Sequence, residues 1–186
     1  PRSVAIALNK ASESIGGYPL WQPWVFSGMP TAESFSYLSK LYFPEYIFKI
    51  FSFSGSTIQF IHLIFSGIGC IVLLRELLCS RAASFLGAIA YMTTPFMITM
   101  AVYGHGSQLM TAAYIPWALW LSIKSWQNPS LINTGSLAMI LGFQLQRAHA
   151  QIAYYTWLLI GLYFLIMLIY SAREKNEKLI LSKKLL

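Results

Sequence analysis

Apolar residues fall in long, nearly unbroken runs rather than in the one-sided patterns of soluble helices and strands. Residues 57–78 hold about 20 largely apolar positions, enough to match ~30 Å of hydrocarbon at ~1.5 Å per residue, with Arg75 and Glu76 marking the exit. A second run, 82–102, is interrupted by Pro95, which predicts a kink and a freed carbonyl needing a partner inside a bundle. A third covers 108–124 and carries Pro116 with the aromatic pair Trp117 and Trp120. The stretch 131–170 is too long for one crossing. Its polar centre, Gln144, Gln146, Arg147, His149 and Gln151, divides it into two helices, a broken or tilted passage being the alternative. The expected fold is an all-α integral membrane protein with about five transmembrane helices, preceded by an outer segment with short interfacial helices.

Composition agrees with lipid as the solvent. Of 186 residues, 56% are hydrophobic and 10% charged, against roughly 25% charged in a soluble domain. The net charge of +7 does not point to nucleic acid, because the only dense basic cluster is C-terminal and fits a cytoplasmic flank. Cys70 and Cys79, the only cysteines, read as packing residues rather than a metal site or disulfide framework. The chain begins at Pro1 without a Met or the basic and apolar regions of a signal peptide and stops without a closing signal, so it reads as an internal piece of something longer.

The basic residues nearest the spans set the orientation. Arg75, Arg81, Lys124 and Arg173, Lys175, Lys178, Lys183 and Lys184 lie on one side, whereas the opposite short loops carry only Arg147. Cytoplasm is therefore expected at 75–81, 124–130 and beyond 172, with 103–107 and 147–151 facing outward. The chain then divides into three regions: an outer loop over 1–55, a transmembrane bundle over 56–172 and a cytoplasmic basic segment over 173–186. In the outer loop, residues 3–14 suit a short helix, and Gly16-Gly17-Tyr18-Pro19 and Gly28-Met29-Pro30 break any regular structure between them. From Glu33 to Phe53 aromatic residues alternate with Lys40, Glu45 and Lys49. That mixture suits helices in the headgroup region or, equally simply, packing on the bundle top.

Within the first span, Gln59, His62, Ser66 and Gly69 share one helical face, and Ser84, Gly87, Tyr91 and Thr94 do so on the second. Such faces point inward and ordinarily knit helices together. The outward turns carry the candidate chemistry. Tyr103-Gly104-His105-Gly106-Ser107-Gln108 sets a histidine between glycines, where backbone can approach a ligand and the imidazole can donate, accept or titrate; simple solvation is the plain reading. Arg147 lies in the second turn, with His149 and Gln151, and a charge near membrane depth is a functional candidate unless it snorkels to the interface. At one level, Arg147, His105 and His149 would form a cationic pocket for a phosphate or pyrophosphate.

There is no Asp, and the outer carboxylates are only Glu13, Glu33 and Glu45. No HExxH, phosphate loop or Gly-x-Ser-x-Gly elbow occurs. Three scattered histidines leave a divalent metal conceivable but unsupported by ligand spacing, and no cofactor is expected.

Three segments carry a family resemblance: Tyr18-Pro19-Leu20-Trp21-Gln22-Pro23-Trp24 leading to Gly28-Met29-Pro30, the Gly104-His105 turn before a Pro-containing span, and Arg147-Ala148-His149-Ala150-Gln151-Ile152-Ala153-Tyr154-Tyr155. Together, over most of residues 15–165, they resemble the bacterial YfhO-like membrane proteins, a branch of the GT-C glycosyltransferase superfamily. The resemblance implies a multispanning enzyme of the bacterial inner membrane that transfers a sugar from a polyprenyl-phosphate donor at the outer face. It implies donor contacts from His105, Gln108, Arg147, His149 and Gln151, and a pocket shaped by Trp21 and Trp24. The superfamily's acidic base lies just after its first span; here that base is expected upstream of Pro1, with Glu13 or Glu33 as speculative substitutes. Two alternatives from other classes remain: a transporter or lipid flippase, suggested by proline-interrupted spans, and a non-catalytic membrane assembly subunit, suggested by the missing Asp.

Overall fold

The computed structural model describes residues 2–17, 19–23, 27–30 and 41–184. Helix α1 (Arg2–Ile15) is followed by a two-residue antiparallel bridge, β1 (Trp21–Gln22) with β2 (Met29–Pro30), in which Trp21 pairs with Pro30 and Gln22 with Met29. Gly28 is required in that turn. Its φ is +111°, and a Cβ there would stand 2.6 Å from the Trp21 ring. A short helix, α2 (Pro44–Ile50), opens with proline in its first turn, where no N–H is missed.

The bundle begins with α3 (Gly55–Glu76), whose Ser54 side chain accepts from Thr57 N–H at the N-terminus. Pro95 does more than kink the second run. It starts a new helix, so α4 (Arg81–Met92) and α5 (Pro95–Val102) are separated at Thr93-Thr94, and Thr94 caps α5 by accepting from Met97 N–H. The run predicted at 108–124 is likewise two pieces, α6 (Gly106–Ala112) and α7 (Ile115–Gln127), with Pro116 in the first turn of α7. The long 131–170 stretch divides as its polar centre suggests, into α8 (Leu131–Gln146) and α9 (Ala150–Lys184). No proline or glycine makes that turn: Ala148 does, with a left-handed φ of 62°.

The described fold is thus almost wholly helical, and three helical stretches are long and apolar enough to cross a membrane: Gly55–Glu76, Arg81–Val102 across its break, and Ala150–Arg173. Helix α8, with 16 residues, spans only about 24 Å and α7, with 13, about 20 Å, both short of ~30 Å of hydrocarbon. Helix α3 is central, packing on α4 and α7; α7 packs on α8, and α9 closes against α6, α7 and α8. The inward stripe of α3 is used: His62, Ser66, Gly69 and Cys70 are buried. Gly69 lets Trp117 lie against the α3 backbone, where the indole donates to Phe65 O at 2.8 Å. Outward faces stay apolar, as Leu158, Leu162, Leu165 and Ile166 of α9 illustrate, each about half exposed. Water would not tolerate such a surface over several turns, but hydrocarbon does.

Candidate functional site

At the end of the bundle where α8 turns into α9, a polar cluster is buried among α2, α3, α7 and α8. Arg147 caps the C-terminus of α8, and its side chain folds inward rather than snorkelling, leaving the residue 7% exposed. Its guanidinium carbon sits 4.5 Å from the centre of the Tyr42 ring, a cation–π contact. Nη1 is 3.6 Å from Glu45 Oε2, beyond hydrogen-bond range, Nη2 donates to Met110 Sδ at 2.9 Å, and Nε is buried with no partner. A thioether is a weak acceptor. The buried cation therefore has no full-strength oxygen acceptor for any of its N–H groups among the described residues.

The Tyr42 hydroxyl carries the cluster into the span. It is hydrogen-bonded to His62 Nε2 at 3.0 Å and to the Tyr114 hydroxyl, and His62 Nδ1 lies 2.7 Å from Ile58 O. The Ile58 carbonyl can only accept, so Nδ1 carries the proton of the neutral ring. Nε2 then accepts from Tyr42, whose oxygen accepts from Tyr114. His62 stands seven residues into α3, about 10 Å below its start.

Against this chain of hydroxyls lies a cavity of about 300 Å³, lined by Tyr42, Pro44, Phe48, His62, Tyr114 and Phe143 among others. Apart from the two phenols and the imidazole its walls are apolar. Its size is at the small end of the ~300–1,000 Å³ of ligand sites. Tyr42 is the shared element: it lines the cavity while its ring bears the Arg147 guanidinium. Gln144, fully buried beside this level, donates to Thr156 Oγ1 at 3.0 Å, and its Oε1 has no partner among the described residues.

The residues singled out in the sequence do not converge on this cluster. His105 is exposed at the start of α6, and Gln108 is half-buried one turn on. His149 accepts through Nδ1 from Ile152 N–H at 3.4 Å, capping α9. Burial lowers the His149 pKa below the usual histidine value, and the nearby His105 acts in the same direction against a local backbone hydrogen bond. The two histidines therefore share one end of the bundle and sense each other. Arg147 turns away from them, and no hydrogen bond joins it to either ring among the described residues. Gln151 donates to Tyr155 Oη at 3.2 Å on the surface of α9. Trp21 lies over Gly28, half exposed, Glu13 is exposed on α1, and Trp24 and Glu33 fall outside the described residues. Tyr42, Glu45, Met110 and Tyr114 were not legible as site residues. Tyr42 and Glu45 stand in an aromatic run that reads equally well as interfacial, and Met110 and Tyr114 lie in an apolar one.

Among the described residues no three His, Cys, Asp or Glu side chains come together as a metal-binding group. Comparison with protein-family models, curated proteins and solved structures finds no match for the chain.

Proposed function

We propose that this chain belongs to a multi-pass membrane glycosyltransferase of the GT-C kind, with about five crossings, taking a sugar from a polyprenyl-phosphate donor at the outer membrane face. One observation carries the reading: an apolar cavity beside a membrane-length helix meets, at Tyr42, a buried arginine whose N–H groups find no oxygen acceptor within hydrogen-bond range among the described residues. A ligand with an apolar chain and an anionic head matches both halves. In the reaction the acceptor hydroxyl loses its proton to a base, its oxygen forms the new bond to the anomeric carbon, and the bond from that carbon to the phosphate oxygen breaks. The electron pair leaves with the polyprenyl phosphate, where Arg147 stabilises the developing charge. His105 and His149 border the approach at the same end. The base is unassigned: Glu13 is exposed on α1, and Glu45 is engaged with Arg147.

The purified protein in detergent, given polyprenyl-phosphate-linked sugars and candidate acceptors, is expected to release polyprenyl phosphate. Arg147→Ala should slow release by about 10²-fold, the usual loss when one oxyanion-stabilising donor is removed. Release that is absent for every donor, or indifferent to Arg147→Ala, sinks the proposal. The broken passages α4–α5 and α6–α7 support a transporter or flippase as the second reading, because discontinuous helices commonly surround transported substrates. Flux of labelled lipid through reconstituted vesicles without product formation would favour it.

A further inference from the structure

Arg147 is almost fully enclosed, and the nearest anion to it belongs to the chain itself. Glu45 sits in the first turn of α2, three residues beyond Tyr42, with its Oε2 3.6 Å from Nη1. The geometry is that of a loose counter-ion, not of a structural pair. A structural Arg–carboxylate pair is bidentate, with N–O distances of about 2.8 Å; here there is a single contact at 3.6 Å, and Nε has no hydrogen-bond partner among the described residues. The two partners also differ in their access to water. The Arg147 side chain is 8% exposed, whereas that of Glu45 is 30% exposed, so the carboxylate can swing into solvent while the cation cannot leave.

We propose that Glu45 is the resident counter-anion of Arg147, and that the phosphate group of an isoprenoid-chain ligand displaces it on binding. The inference rests on the donor-phosphate reading above and adds a residue that governs affinity at the same site. Without a ligand, Glu45 limits the cost of a buried positive charge. With one, the phosphate oxygens take Nη1 and the vacant Nε, the chain enters the cavity beyond Tyr42, and Glu45 is released to water. One anion replaces another beside an unchanged cation, and the released carboxylate keeps its charge in water. Glu45 consequently competes with every anionic ligand and discriminates against weak anions that cannot outbid a local carboxylate. Tyr42 keeps its ring on the guanidinium throughout.

The test measures binding of farnesyl phosphate, farnesol and inorganic phosphate to the purified protein and to Glu45→Gln. The variant is expected to bind farnesyl phosphate about tenfold more tightly, the scale of one charge-assisted hydrogen bond regained, and to leave farnesol unchanged. On the wild-type protein, carbodiimide coupling of exposed carboxylates, read by mass spectrometry, should modify Glu45 faster when farnesyl phosphate is present and no faster with farnesol. This second measurement stands even if Glu45→Gln does not fold. If the wild type prefers farnesyl phosphate to farnesol, yet neither the variant's affinity nor the Glu45 coupling rate changes, the counter-anion role is overturned and the donor-phosphate reading survives. No preference for farnesyl phosphate over farnesol overturns both. Equal gains for inorganic phosphate and farnesyl phosphate support the exchange at Arg147 and remove the isoprenoid chain from it.

Discussion

At the scale of single residues, Tyr42 ties the two halves of the candidate site together. Its hydroxyl donates to His62 and accepts from Tyr114, while its ring faces Arg147 and meets Phe143 edge-on at 5.8 Å between centroids. Phenylalanine would keep both ring contacts and lose only the hydroxyl, stranding His62 Nε2 and the Tyr114 hydroxyl without partners. Leaving a buried polar atom unsatisfied costs about 1–3 kcal/mol in soluble proteins. Hydrogen bonds between membrane helices average nearer ~0.6 kcal/mol, so Tyr42→Phe should destabilise the protein by roughly 1–2 kcal/mol. Tyr42→Leu, which also loses the cation–π contact, should cost more. Thermal unfolding in detergent measures both. If Tyr42→Phe matches wild type and Tyr42→Leu does not, the ring alone holds the segment and the hydroxyl chain contributes nothing.

At the scale of elements, the turn between α8 and α9 decides where Arg147 points. Helix α8 ends on Gln146 and is capped by Arg147, and Ala148 comes next in the left-handed region, where the Cβ of an L-residue is penalised by roughly 1–2 kcal/mol. Glycine is the residue most at ease there. Ala148→Gly is therefore expected to raise unfolding stability by up to about 1 kcal/mol after its own entropy cost, and Ala148→Val to lower it. Opposite signs in paired thermal unfolding curves bear this out; a loss with glycine would mean that the turn is not left-handed in solution. The same turn marks the limit of what patterning reveals. Long apolar runs place α3, α4, α5, α8 and α9 well, and the polar interruption at 144–151 locates the division of the last stretch. Proline was legible as a disturbance but not as a helix start, because the choice between a kink and a new first turn depends on whether a cap such as Thr94 is available. The inward turn of Arg147 could not be read either. It arises because Tyr42 and Met110, distant in sequence, offer a ring face and a sulfur inside the bundle.

At the scale of the molecule, the bundle presents two ends of different chemistry. At one end Glu76 joins Lys124 at 2.8 Å and accepts from the Trp120 indole at 3.4 Å, with Arg75 and Arg81 close by in sequence. At the other, Arg147 is enclosed and faced by Glu45 of α2, which also carries Lys49, and His105 and His149 stand at the turns. An unmatched excess of basic residues at the Glu76 end is the asymmetry that keeps such an end in the cytoplasm. In a background without Cys70 and Cys79, cysteines at positions 105 and 149 should react with an impermeant maleimide in intact cells, and a cysteine at 128 only after permeabilisation. The complementary pattern, 128 outside with 105 and 149 protected, would invert the orientation and leave the antiparallel fold intact. Labelling of 105 and 128 from the same side would break the fold itself, since α6 and α7 would then return to the face they left. Only the first pattern puts the Arg147 cluster where a lipid-linked sugar at the outer face can reach it, so the orientation of the bundle and the proposed chemistry stand or fall together at this measurement.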